Sequence, residues 1–347
     1  MTSYAAAGVS IEAGDRAVDL MKQWVAQASR PEVVGGIGGF AGLFDASALK
    51  TYTRPLLATS ADGVGTKVAI AQRMDVHDTV GFDLVGMLVD DLVVCGAEPL
   101  FLTDYIACGK VVPERIADIV KGIAQACAET GTALLGGETA EHPGLLGPDE
   151  YDMAGSTTGV VEADRLLGAD RVRSGDVVIG MASSGLHSNG YSLVRQVFFD
   201  LAGWQLDREV PEFGRTLGEE LLTPTRLYTK PCLALADAVE VHAMSHVTGG
   251  GLAANLARVV PDTVSVRLDR SSWTPPPVFG LVGELGGISQ TDLDQALNMG
   301  VGMVAIVAPD AADSALDLLR SHGVEAWVLG EVADAGVHGA GGSVTLD

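Results

Sequence analysis

Apolar positions recur at helical spacing in two long stretches of the first half of the chain. Val18, Met21, Trp24 and Val25 share one face of segment 13–27. Ile116, Ile119, Val120, Ile123 and Cys127 do the same over 113–130. Pro113 suits the first turn of that second helix, and Gly131 suits its end. Segment 78–94 is almost wholly apolar and also reads as a helix. Short apolar runs at 55–60, 99–107, 132–135 and 151–162 read as strands. The second half alternates in the same manner. It has a strand at 177–181, a helix at about 189–201 and a helical region interrupted by Pro224 and Pro231. A glycine-led helix at 249–260, a strand at 301–307, a helix at 310–322 and strands at 326–332 and 343–346 follow. The pattern predicts an α/β (α+β) protein of two domains, 1–169 and 170–347, with no clear sequence repeat.

Composition narrows the function. Apolar residues make up 47% of the 347 residues and charged residues 19%, enough for a large core and too apolar for a disordered chain. Against 45 acidic residues stand 22 Lys and Arg, a net charge of −23, which disfavours coating DNA or RNA but not a small phosphate held by Mg²⁺ and backbone N–H groups. The chain shows neither the basic start and apolar run of a signal peptide nor a stretch of about 18 apolar residues, so no membrane span is expected. Cys95, Cys108, Cys127 and Cys232 lie in apolar or mixed segments without a C-x-x-C pair, as free thiols of a reducing cytoplasm do.

Acids at predicted strand ends carry the candidate chemistry. Asp62 opens DGVGTK (62–67), where Gly63 and Gly65 permit close backbone approach, Thr66 offers a hydroxyl and Lys67 a positive charge. A tight strand-to-helix turn accounts for the same residues. In the apolar helix, Asp83, Asp90 and Asp91 are costly to bury without partners. Glu138 and Glu141 follow the next strand. Oxygen ligands from separate loops suit Mg²⁺, which favours Asp62, Asp91 and Glu141 as ligands, with Asp90 and Asp104 as secondary candidates. In the second domain, SSGLHSNGYSLVR (183–195) places His187 for proton handling and Ser188 and Asn189 as helix caps. Gly249, Gly250 and Gly251 open a helix and suit a sugar phosphate. Gly35, Gly36, Gly38 and Gly39 form a turn-rich loop anchored by Phe40, Leu43 and Phe44.

Taken together, the chain resembles the phosphoribosylformylglycinamidine cyclo-ligase (AIR synthetase) family. The resemblance rests on YAAAGV (4–9), PEVVGGIGGF (31–40), DGVGTK, the run from His77 to Tyr105, GGETAEHPG (136–144), YDMAG (151–155), SSGLHSNGYSLVR, LTPTRLYTKP (222–231), TGGGL (248–252) and NMGVGM (298–303). It implies a two-domain AIR synthetase-like fold of mixed sheets flanked by helices, and a homodimer that pairs its N-terminal domains. It further implies an active site in a cleft between the domains, with ATP and Mg²⁺ as cofactors. The reaction implied is ring closure of formylglycinamidine ribonucleotide through a phosphorylated amide oxygen. By the same resemblance, Asp62 and Asp91 bind Mg²⁺–phosphate with Glu141, Lys67 offsets phosphate charge, and Gly36, Gly38 and Gly39 lie near the nucleotide. His187 handles a proton, Ser188 and Asn189 position the substrate, and Gly249–251 face its phosphate. His142 departs from the family pattern, in which an apolar residue usually follows GGETAE.

Overall fold

The computed structural model describes residues 10–36 and 38–347, so the YAAAGV segment lies outside the described residues. Contacts divide the chain into two compact units. One comprises residues 1–92 and 98–163, the other 93–97 and 164–347.

The first unit runs α1 (Ile11–Gln27), β1 (Val33–Val34), β2 (Leu43–Phe44), β3 (Pro55–Gly63), α2 (Val68–Met74), α3 (Val80–Val93), β4 (Glu98–Cys108), α4 (Pro113–Thr130), β5 (Ala133–Glu141) and β6 (Tyr151–Glu162). Ser10 caps α1 by accepting from the Ala13 N–H. Pro113 begins α4, and Gly131 ends it in the left-handed conformation, as its sequence predicts. The main sheet has the order β3-β6-β4-β5. β6 is antiparallel to both neighbours, while β4 and β5 are parallel. The C-terminal ends of β3, β4 and β5 therefore lie at one end of the sheet. Leu102, Ile106 and Met153 are buried on one face, against which α3 packs. Leu57, Thr59, Ala61, Thr103 and Tyr105 alternate with the covered positions and are exposed. α3 and α4 approach backbone to backbone. A Cβ on Gly122 would lie 1.9 Å from the Asp78 carbonyl oxygen, and one on Gly81 would lie 2.1 Å from the Ile123 nitrogen.

The second unit contains β7 (Val177–Ala182), α5 (Tyr191–Arg195), β8 (Glu209–Val210), β9 (Arg215–Thr216), α6 (Leu217–Leu221), α7 (Thr229–Ala238), β10 (Val241–His246) and α8 (Gly251–Ala257). It continues through β11 (Val264–Leu268), α9 (Pro277–Gly286), α10 (Gln290–Ala296), β12 (Val301–Val307), α11 (Ala312–Ser321), β13 (Ala326–Asp334) and β14 (Val344–Leu346). Its six-stranded mixed sheet has the order β10-β12-β7-β13-β11-β14. Ile179, Met181, Met244 and Met303 pack with Leu235 and Leu319 in one core, and Val178, Ala243, Val304 and Ile306 pack with Leu252 and Leu256 in another. A sheet covered on both faces explains why β10 and β12 are buried at every position. The helix expected at 189–201 starts at Tyr191, and residues 196–201 wind as a π-helical stretch.

Candidate functional site

The register of the first sheet locates the predicted acids. Asp62 pairs with Gly155, Gly155 with Asp104, and Asp104 with Gly137, forming one row across four strands. Asp62 and Thr66 are exposed at the end of β3. The Asp62 carboxylate accepts from the Gly63 N–H at 2.7 Å. Gly65 has φ +73°, a left-handed turn that glycine enters without strain. Gly63 is also needed for packing, since a Cβ there would sit 3.0 Å from the Met153 carbonyl oxygen.

Glu141 stands four residues beyond Gly137 on β5. Three strand spacings across and four residues along put its backbone roughly 19 Å from that of Asp62. Its carboxylate is occupied locally, accepting from the Val111 N–H at 2.7 Å and the Ser10 N–H at 2.9 Å. Among the described residues, no group of three His, Cys, Asp or Glu side chains is placed to hold a metal ion. Glu141, the third carboxylate expected beside Asp62 and Asp91, thus stands well apart from Asp62 across the sheet. Asp62 and Asp91 are both exposed and suit one or two carboxylate contacts to a phosphate-bound Mg²⁺.

Lys67 is placed differently from an open phosphate-neutralising side chain. It is fully buried, and its Nζ donates to Asp83 Oδ1 at 2.7 Å. Burial lowers the ammonium pKa, and the Asp83 charge opposes that shift. Asp83 and Asp90 are both fully buried in α3, and Asp83 has in Lys67 the partner its apolar surroundings demand.

A cavity of about 540 Å³ lies within the first unit, between α1, α4, the glycine loop and the middle of β4 and β5. Gly36, Gly38 and Gly39 line it, together with Met21, Val120 and Asp104. Gly42 anchors the loop, since a Cβ there would lie 2.7 Å from the Leu135 carbonyl oxygen. Asp104 was only a secondary metal candidate by sequence. It points into this cavity, in space that Gly137 leaves open: a Cβ on Gly137 would be 2.2 Å from Asp104 Oδ1. Burial pushes its carboxyl up to about 7. The consecutive glycines after a strand were the signal for this recess. The wall supplied by α1 was not visible in sequence.

In the second unit, His187 is 1% exposed with φ +57°, and its Nε2 accepts from the Ser184 N–H at 3.1 Å. A Cβ on Gly302 would meet His187 Cε1 at 2.5 Å and the Tyr228 hydroxyl at 2.1 Å. His187 is thus enclosed and holds a turn. Ser188 and Asn189 do not cap α5, because Gly190, with φ +76°, occupies the N-cap position. Asn189 does meet the glycine loop: a Cβ on Gly249 would lie 3.5 Å from its Oδ1. Gly250 has φ +96°, and Gly251 packs against the Asp294 carbonyl, which a Cβ would approach to 1.8 Å. Gly251 therefore has a packing reason of its own. His142 sits beside Tyr105, with Nε2 3.2 Å from the hydroxyl.

Residues 44–161 match the model for the AIR synthase related protein N-terminal domain, and 173–341 match that for the C-terminal domain. The chain is 49% identical over 341 residues to a phosphoribosylformylglycinamidine cyclo-ligase of Geobacillus kaustophilus, covering 98% of both chains. It is 50% identical over 330 residues to one of Shouchella clausii, covering 95% of both. In fold it is similar to thiamine-monophosphate kinase of Stenotrophomonas maltophilia, with TM-score 0.67, 21% identity and coverage of 94% of this chain and 95% of that one. It is likewise similar to E. coli HypE, with TM-score 0.66, 19% identity and coverage of 96% and 97%. The full-length match at near-half identity, carried by both domains, makes the chain a member of the phosphoribosylformylglycinamidine cyclo-ligase family.

Proposed function

We infer that the protein closes the imidazole ring of 5-aminoimidazole ribonucleotide from formylglycinamidine ribonucleotide, using ATP and releasing ADP and phosphate, as a step of purine biosynthesis. The observation that carries this reading is the near-half identity to cyclo-ligases over almost the whole length of both chains. The chemistry has one main barrier. An amide oxygen is a poor leaving group, and phosphorylation converts it to one. The oxygen bonds to the γ-phosphorus as the bond to ADP breaks. The amidine nitrogen then attacks the same carbon and loses a proton, and the oxygen departs with the phosphate.

In this reading the exposed Asp62–Thr66 turn meets the phosphates, with Gly63 and Gly65 admitting them close to the backbone. Mg²⁺ supplies charge neutralisation to those phosphates when bound, and Asp62 and Asp91 are the carboxylates that would hold it. Lys67, tied to Asp83, braces the turn from beneath. Asn189, beside Gly249 and Gly250, contacts the ribotide, while His187 shapes that loop.

The protein acts as a homodimer in this reading. The open face of the first sheet exposes Leu57 at 64% and Tyr105 at 42%, an apolar surface suited to a second copy. Single-turnover assays of Asp62→Asn test the phosphate role. Ring closure should fall by at least about a hundredfold with the melting temperature unchanged. Near-normal turnover would remove Asp62 from the site.

A further inference from the structure

Glu220 of α6 uses only one of its two carboxylate oxygens within the second unit. Arg215 of β9 donates to Oε2 twice, from Nε at 2.9 Å and from Nη2 at 2.6 Å, and Nη2 also donates to Thr223 Oγ1 at 2.8 Å. The Glu220 side chain is only 10% exposed, so this pairing holds it in one orientation. Among the described residues no hydrogen bond or ion pair reaches Oε1. That oxygen faces Gly185. Beyond its chain neighbours, the nearest atom to a Cβ on Gly185 would be Glu220 Oε1, at 3.9 Å. The space over Gly185 is therefore open, with one unused acceptor at its rim. The glycine itself is pinned from the other side, where its carbonyl accepts from Ser183 Oγ at 2.8 Å and from Asn298 Nδ2 at 2.9 Å. Its φ of +138° suits glycine alone, which preserves both the turn and the recess. Gly185 belongs to the turn closed by the Ser184 N–H on His187 Nε2. Four residues separate it from Asn189, at most about 14 Å of chain, so one ribotide reaches both.

We propose that Glu220 Oε1 accepts an N–H from the amidine of the ribotide and selects an amidine over the corresponding amide. The inference rests on the ring-closing reading above and adds the residue that recognises the substrate's amidine end. An amidine has two nitrogens. One closes the ring, and the other becomes the exocyclic amino group of the product. A carboxylate oxygen bonded to the second leaves the first turned toward the formyl carbon. The amide analogue carries a carbonyl oxygen where the amidine carries that N–H. Two acceptors then face each other across the recess, and no hydrogen bond joins them. A protonated amidine adds charge attraction to the correct contact. Arg215 acts through Glu220 here, by keeping the carboxylate from turning away.

The test compares the two ligands in Glu220→Gln. Glutamine keeps a carbonyl oxygen for Arg215 and turns an NH₂ donor toward the recess. KM for formylglycinamidine ribonucleotide should rise by about tenfold or more, with KM for ATP and the melting temperature unchanged. The amide analogue, measured as a competitive inhibitor, should bind no more weakly than to the wild type, so that the preference for amidine over amide falls by about tenfold or more. A purely structural role of the Arg215–Glu220 pair would weaken both ligands together and leave that preference where it was. An unchanged preference overturns the inference. If the wild type closes the ring while Glu220→Gln keeps its preference, the amidine assignment fails and the function stands. If the wild type closes no ring on formylglycinamidine ribonucleotide, the function fails and the inference falls with it.

Discussion

Lys67 and Asp83 lie sixteen residues apart in sequence and form a fully buried ion pair. Removing one partner strands a charge in the interior. Lys67→Ala should therefore destabilise the protein by about 3–5 kcal/mol, measured by urea unfolding, and a second substitution Asp83→Ala should return part of that loss. A Lys67→Ala protein of unchanged stability would show that the pair does not brace the turn. Asp104 makes a separate prediction at this scale. The unfolded chain releases its proton near the ordinary carboxyl value of 3.8, and burial moves that release up to about 7 in the folded protein. Between those values the folded state binds more protons, so this group's contribution to stability falls as pH rises through the window. The open cavity leaves part of the carboxyl reachable by water, which discounts the penalty. Asp104→Asn should gain on the order of 1–2 kcal/mol over the wild type near pH 8, shrinking toward zero near pH 4, in paired urea titrations. A gain independent of pH would contradict the assignment.

Most elements of the fold were legible at the level of periodicity. α4 and β6 occupy the predicted bounds, and α1, β3 and β4 differ by a few residues. These segments declare themselves because one face is buried against a continuous core and the punctuation is local, as with Pro113 and Gly131. Legibility fails where a residue answers to a distant partner. Ser188 and Asn189 carry good capping chemistry, yet Gly190 takes the cap, because the tight turn at His187 delays the helix. Glu141 reads as a metal ligand, yet it ties the Ser10 and Val111 backbones together, contacts 131 and 30 residues away in sequence. Gly122 lies inside α4, where the Asp78 backbone passes it too closely for any side chain. Gly122→Ala should accordingly destabilise by about 1–3 kcal/mol, although alanine is the better helix former, as read from the denaturation midpoint. A stabilised variant would show that the two backbones separate freely.

At the scale of the whole molecule, the four-stranded sheet presents one covered face and one open face, and the open one carries Leu57 and Tyr105. Light scattering on the purified chain should give twice the monomer mass, and Leu57→Asp should shift the population toward monomer. A wild-type monomer at micromolar concentration would remove that face from consideration. In the proposed reading a net charge of −23 is compatible with anionic substrates, since glycine-rich backbone turns, rather than a basic surface, would meet the phosphates.

The central claim is that ATP is spent to remove one amide oxygen and close one ring. The direct measurement is a stoichiometric assay of purified protein with MgATP and formylglycinamidine ribonucleotide labelled with ¹⁸O in the formyl group. The account predicts equal amounts of ADP, phosphate and aminoimidazole ribonucleotide, with the label recovered in the phosphate. Label released to water, or ATP consumed without the imidazole product, would contradict it.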